Sequence, residues 1–308
     1  MTVIKLNKKF AFVFDLDKTI GFFTQFAIFM EGIESIIGRK LKKNEFFKLL
    51  DLYPEYFRPT IFEIFEYLRK LKKENKGKVK ILIYTNNMGP KSWVYDIADY
   101  IEYKIKGKIF DKIIPAWKVD KLIYSNCRTT HDKTYKDVIK CGNIDKDATI
   151  FFFEDTRYPN MLRENINYFY LYPYKYELVI EKMIMIFEKS KLFNIIKNKK
   201  KKFFKTEILN FVQNDPLGFR YIEHLDSNSD RNSIEDKRLL SKIIFYIKKD
   251  NHKSKKFRPA QDSSSKKYYK QSNKKAGKSN FSKKSYIKMM RSTRRKKSKK
   301  RKTRKIRK

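Results

Sequence analysis

Four short apolar runs, each followed by polar residues, set the pattern of this chain. Phe10 to Phe14 is unbroken by polar residues, which predicts a strand buried on both faces of a parallel sheet. Val79 to Tyr84 and Ala148 to Phe153 have the same character, and residues 167 to 172, NYFYLY, form a fourth run stopped by Pro173. Between them lie helical periods. Ile61, Phe62, Ile64, Phe65, Leu68 and Leu71 recur on one face, with Lys and Glu opposite and Gly77 beyond. Trp93, Ile97, Ile101 and Ile105 form a second stripe. Residues 43 to 57 read as a helix broken by Pro54, 109 to 114 as a short strand, and 115 to 131 as irregular. Lys133 to Cys141 reads as a short helix closed by Gly142, and 159 to 165 as a helical turn. A further helix, rich in Ile, Met and Phe, runs to about Ser190. The Phe-rich stretch from Ile20 to Gly38 reads as a loop followed by a helix, with no spacing that sets the boundary. Alternating strands and helices predict an α/β fold on a parallel sheet.

The pattern weakens beyond residue 190. Residues 197 to 202 are mostly Lys, 213 to 237 are polar without a period, and 238 to 248 suggest one more helix. The expected organisation is a domain over 1–190, a helical or irregular extension over 191–250, and a disordered Lys/Arg-rich tail over 251–308.

Charge sharpens that division. The formal net charge is +40, of which +25 lies in residues 251 to 308, leaving +15 before it. RRKKSKKRKTRKIRK near the end reads as a nuclear-localisation or nucleic-acid-contact segment. Any binding to phosphates would be salt-sensitive and mostly non-specific. A biased codon supply also yields Lys-rich chains, although it does not account for the repeated Arg. The two cysteines, Cys127 and Cys141, form no CxxC, which fits a reducing compartment and argues against a disulfide framework or a Cys-based zinc site. His131, His224 and His252 are too scattered for a His-rich metal centre. No apolar run approaches a membrane span, and the first strand begins too early for a secretory signal, so an intracellular protein, cytoplasmic or nuclear, is expected.

The chemistry lies at the strand ends. The first run stops at Asp15-Leu16-Asp17-Lys18-Thr19, the second at Thr85-Asn86-Asn87, and the third at Glu154-Asp155-Thr156. Carboxylates at the tip of a buried strand are costly unless something pairs with them, and C-terminal strand ends form the ligand crevice of open α/β sheets. Two acids, a hydroxyl, a lysine from the 133–141 helix and a second acidic pair suit phosphoryl transfer through an aspartyl phosphate. Asp15 would be nucleophile and metal ligand. Asp17 would be the general acid and then base, its carbonyl also in reach of the metal. Thr85 and neighbouring amides would hold phosphate oxygens, Lys136 would neutralise charge, and Asp155, with Glu154 behind it, would complete a Mg²⁺ site. Taken singly these are weak signals. Thr85 could merely start a turn, Lys136 could be a solvated helix lysine, and Glu154-Asp155 could cap a helix. Trp93 and Phe62 read as core, His131 as a loop residue, and Cys141 as packing.

The order of FDLDKT, FRPTIFEIFEYL, YTNN, HDKTYKDVIKCG and FFFEDT resembles the haloacid-dehalogenase-like phosphohydrolases over about residues 8 to 190. Within them it is similar to the phosphatases of the RNA polymerase II C-terminal domain, also called NLI-interacting-factor-like phosphatases, and to divergent versions carried by large DNA viruses. The resemblance implies a Rossmann-like (HAD-like) fold with little or no cap domain. It also implies Mg²⁺ dependence and a protein phosphoserine or phosphothreonine substrate, to which an uncapped site is open. It implies Asp15 as nucleophile, Asp17 as acid/base, and Thr19, Thr85, Asn86 and Lys136 around the phosphate, with Lys133 the alternative lysine. Asp15, Asp17, Glu154 and Asp155 form the implied metal set, although Glu154 stands where the family has Asp. Two other readings stay open: a polynucleotide-end phosphatase guided by the tail, and a catalytically silent nucleic-acid-binding or scaffold protein.

Overall fold

The computed structural model describes residues 4–218, 221 and 232–252. Five parallel strands form one sheet in the order β3-β2-β1-β6-β7, from β1 (Phe10–Phe14), β2 (Val79–Tyr84), β3 (Lys112–Ile114), β6 (Thr149–Glu154) and β7 (Ile166–Tyr170). Phe10 pairs with Val79 on one side and Thr149 on the other. β1 is therefore the central strand, which is why its five residues carry no polar side chain. Phe10, Phe12 and Phe14 point into the larger core cluster, with Phe65, Phe151, Phe153 and Phe169. Ala11 and Val13 point into a smaller cluster with Leu82, Tyr84, Val138 and Phe152.

Helices flank the sheet. α1 (Thr24–Ile37), α3 (Ile61–Glu74), α4 (Lys91–Lys104) and α6 (Ile180–Lys189) contribute to the larger cluster, as does α2 (Lys43–Asp51), while α5 (Tyr135–Gly142) covers the opposite face. The stretch expected to be irregular contains a small antiparallel hairpin, β4 (Lys118–Val119) and β5 (Leu122–Ile123). Just before β3, Asp111 pairs with Ile81 through both its amide and its carboxylate, which accepts from the Ile81 amide.

No separation falls at residue 190. After α7 (Asn198–Lys201), the helix α8 (Phe204–Asn214) buries Phe204, Ile208 and Val212, an i, i+4, i+8 stripe, in the same core. Gly32 of α1 admits it closely, since a Cβ there would stand 3.0 Å from the Ile208 side chain. α9 (Asn232–His252) adds Leu239, Leu240, Ile243 and Ile247 to the same core. These helices lie in the compact unit that ends at His252. The expected disordered tail lies, from residue 253, outside the described residues. No helix among the described residues is long and apolar enough to cross a membrane.

Arg58 ties this extension to the strand tips. Its Nε donates to the Thr19 carbonyl, Nη2 to the carbonyls of Lys18 and Tyr172, and Nη1 to Asp236 of α9 at 2.6 Å, all with the side chain buried. Removing one member of a buried ion pair strands the other charge. Arg58→Ala is therefore expected to cost about 3–5 kcal/mol in urea unfolding, with a loss under 1 kcal/mol counting against the clamp.

Candidate active site

The first strand ends in a tight turn. Lys18 adopts the left-handed conformation at φ 63°, and the Leu16 carbonyl accepts from the amides of Ile20 and Gly21. Gly21 has no room for a side chain, because a Cβ would lie 2.4 Å from the Tyr56 carbonyl oxygen. Asp15 is thereby held at the tip of the central strand, with its amide donating to the Phe153 carbonyl at 3.0 Å.

Lys133 is the lysine that reaches Asp15. Its ammonium pairs with the Asp15 carboxylate and with Glu154 at 2.5 Å, and all three residues are buried. Lys136 is exposed. The sequence expectation is corrected here for a geometric reason. Thr134 caps α5 by accepting from the Asp137 amide, so Lys133 precedes the helix and can extend across the strand tips. Lys136 lies just inside the helix, next to the buried Asp137 and Val138, and faces outward.

Asp17 sits in the turn, and the Asn87 side-chain amide donates to it at 2.8 Å. Burial, and then the charge of Asp15, push its carboxyl up to about 6. Burial and Asp15 also raise Glu154 and Asp155 above the usual carboxylate range. Burial alone would lower the Lys133 pKa, but Asp15 and Glu154 outweigh it and hold the ammonium above its ordinary value.

Asp15, Glu154 and Asp155 place one ligand oxygen each within 4.8 Å of one another and could hold a metal ion. The donor set is all carboxylate oxygen, which fits a hard divalent cation. Charge agrees, because the Lys133 ammonium, which acts on Asp15, Asp17, Glu154 and Asp155, carries one positive charge against four carboxyls. Glu154 has both oxygens engaged, Oε2 by Lys133 and Oε1 by the Thr156 amide. Asp155 has the more open carboxylate of the pair.

The raised carboxyls make a testable linkage. Asp17 keeps its proton in the folded protein from its ordinary 3.8 up to about 6, while the unfolded chain releases it. The folded state binds more protons across that window, so metal-free stability falls as pH rises through it. A cation bound beside these carboxyls favours their ionised forms. Millimolar Mg²⁺ is expected to raise Tm more at about pH 7.5 than at about pH 5 in calorimetry, since only the former ionises Asp17. An equal or reversed effect would contradict a cation held by these acids.

The second strand end supplies the opposite wall. Thr85 is buried, and its hydroxyl accepts from the Asn87 amide at 3.0 Å. Asn86 donates to the Tyr158 hydroxyl and accepts from Arg128 at 2.8 Å. Thr19 does not line the site. It has no exposed surface, its hydroxyl finds no partner among the described residues, and its carbonyl is taken by Arg58, so it does not face the crevice as expected.

Three residues join the site without having been singled out in the sequence. Asn87 is the second Asn of YTNN, and the motif itself offered it. Tyr158 follows the acidic pair by a few residues. Arg128 had no signal, being one Arg in an irregular loop. Buried, it donates to the carbonyls of Thr85, Pro115, His131 and Asp132 as well as to Asn86, and so fastens the Thr85 loop to the loop that delivers Lys133. The neighbouring Cys127 is joined by a disulfide to Cys141 of α5, contrary to the expectation of two unbonded thiols. Their sequence separation of 14 hid the contact, because the Arg128 loop folds back along the helix.

No protein-family model, no curated protein and no solved structure matches this chain.

Proposed function

We propose that the protein is a Mg²⁺-dependent phosphomonoester hydrolase of haloacid-dehalogenase-like fold that works through an aspartyl phosphate on Asp15. The observation that carries the reading is the buried contact of Lys133 with Asp15 and Glu154, across the ends of β1 and β6 and beside the turn that carries Asp17. The strand order, with β1 central and the acids at the C-terminal ends, supports the fold assignment.

Asp15, Asp155 and the Asp17 backbone carbonyl would hold the ion, with Glu154 steadying Lys133 behind them. When bound, Mg²⁺ screens the repulsion between carboxylate and phosphate and polarises the phosphoryl oxygens. The free carboxylate oxygen of Asp15 attacks phosphorus, and the bond from phosphorus to the ester oxygen breaks. Asp17 gives its proton to the departing oxygen. A carboxyl raised to about 6 is protonated in a minor fraction of molecules near neutral pH and readily exchanges that proton in both directions. Asn87 orients that carboxyl through its hydrogen bond. Lys133 and the Thr85 loop offset the charge on the transferring group. The ionised Asp17 then takes a proton from the water that attacks the acyl phosphate. Inorganic phosphate leaves and Asp15 is restored.

The substrate implied by the resemblance is phosphoserine or phosphothreonine in a protein, with the RNA polymerase II C-terminal domain as one candidate. A phosphorylated nucleic-acid end is the second reading, favoured by the aromatic rim described next. Nuclear residence, or a viral source, accompanies the first reading only as part of that resemblance. Full-length protein is expected to release phosphate from p-nitrophenyl phosphate with Mg²⁺ and to stop on adding EDTA. Clean protein without turnover would favour the silent-scaffold reading instead.

A further inference from the structure

One side of the site carries residues that the reaction does not use. Parallel pairing sets Phe14 beside Phe153 and Glu154 beside Tyr170, so Asp15, Glu154 and Tyr170 stand in a row across three adjacent strands. At about 4.8 Å per strand, the Tyr170 backbone lies about 10 Å from that of the nucleophile. Tyr170 is 54 % exposed, although it flanks a buried glutamate. Tyr172, two residues further on, is 53 % exposed. Its carbonyl shares Arg58 Nη2 with the Lys18 carbonyl, at 2.8 and 2.6 Å, which seats it against the turn that carries Asp17.

Neighbouring tyrosines are engaged: the Tyr168 hydroxyl donates to the Thr156 carbonyl and the Tyr174 hydroxyl to the Glu55 carbonyl. Tyr170 instead carries the Arg157 guanidinium 5.6 Å above its ring. Lys18, partly exposed, offers its carbonyl to the same Arg58 nitrogen that holds the Tyr172 carbonyl. The rim on this side thus combines two exposed tyrosines, the Arg157 guanidinium over one of them, and Lys18 in the adjoining turn.

We propose that this rim binds the nucleotides next to a terminal phosphate, so that the substrate is a single strand of nucleic acid ending in a phosphomonoester. The proposal rests on the hydrolase reading for the fate of that phosphate. Ring faces accept any base by stacking, and cations beside them follow the backbone phosphates. Tyr170 closes β7 and Tyr172 follows two residues on, no more than about 7 Å of backbone away, so the platform can serve successive bases. The first 250 residues already carry +15 without the tail, which favours a polyanion over a neutral peptide.

The test uses full-length protein bearing Asp15→Asn, with Mg²⁺, and eight-nucleotide strands phosphorylated at the 3′ or the 5′ end. 2-Aminopurine stands either beside the phosphate or at the far end. Quenching is expected beside the phosphate for at least one polarity and not at the far end, which separates the rim from general attraction to the basic tail. Tyr170→Ala/Tyr172→Ala is expected to weaken binding of that strand about ten-fold or more, and Tyr170→Phe/Tyr172→Phe to preserve it. Equal quenching at both ends, or quenching unchanged in the Ala variant, overturns the proposal. So does a phosphoserine peptide that displaces the strand and loses affinity equally in the Ala variant, since the rim then reads peptide. Failure of the reaction itself would appear separately, as absent Mg²⁺-dependent turnover of p-nitrophenyl phosphate by the unmodified protein.

Discussion

Asp15→Asn is expected to lower Mg²⁺-dependent phosphate release by on the order of 10⁴-fold or more, while the protein remains folded. The amide has nearly the shape of the carboxylate but no anionic oxygen to attack phosphorus, so the covalent route closes. Stability should move in the opposite direction. The Asp15 charge raises Asp17, Glu154 and Asp155, and removing it relieves all three. Lys133 keeps Glu154 as its partner. Urea unfolding of the metal-free variant near pH 7.5 is therefore expected to match or exceed that of the unmodified protein. Phosphate-release assays and unfolding curves on the same preparation check both halves. Turnover within ten-fold of the unmodified protein would remove Asp15 from the nucleophile's role.

The second large effect separates two lysines. Lys133→Met is expected to reduce turnover by about 10³-fold, whereas Lys136→Met should remain within about two-fold, as surface substitutions do. Lys133 neutralises Asp15 and Glu154 in a buried setting, and its loss leaves two carboxylates without their cation. Breaking a buried pair of this kind costs about 3–5 kcal/mol, unless protons or a metal ion compensate. Metal-free Lys133→Met should accordingly be less stable at about pH 7.5 than at about pH 5, because protonating either acid relieves the repulsion. Steady-state kinetics on the two variants decide the matter, and the reverse ranking would return the role to Lys136.

Local pattern made much of the fold legible. Phe10 to Phe14, Val79 to Tyr84 and Ala148 to Phe153 are apolar because both faces of the sheet are covered, and that condition is written residue by residue. The helix from Ile61 to Glu74 was readable for the same reason, through its 3.6-residue stripe. α8 was equally periodic at Phe204, Ile208 and Val212, but its Lys-rich approach obscured it. The hairpin at 118–123 has two residues per strand, too few for any alternation to register.

The site divides along the same line. Asp15, Asp17, Thr85, Asn86, Glu154 and Asp155 follow directly from strand ends, and parallel pairing brings such ends together whatever the intervening sequence. Residues that arrive from loops were not legible. Arg128 gathers acceptors from Thr85, Asn86, Pro115, His131 and Asp132, and Arg58 joins Lys18, Thr19 and Tyr172 to Asp236. In the sequence Arg58 is only the second residue of FRPTIFEIFEYL, just before a helix; its function as a clamp depends on a residue 178 positions away.

By itself, then, the sequence determined the strands, their buried character and the acids at their tips, since burial and charge are properties of neighbouring residues. Tertiary structure alone decided that Lys133 and not Lys136 meets Asp15, that Cys127 bonds Cys141, that Thr19 is sealed away, and that Tyr170 and Tyr172 flank the site. Each of these depends on the direction of a side chain after the chain has turned. Helix capping at Thr134, the left-handed turn at Lys18 and the register of β6 against β7 set those directions, and the contacts that follow join residues far apart in the chain.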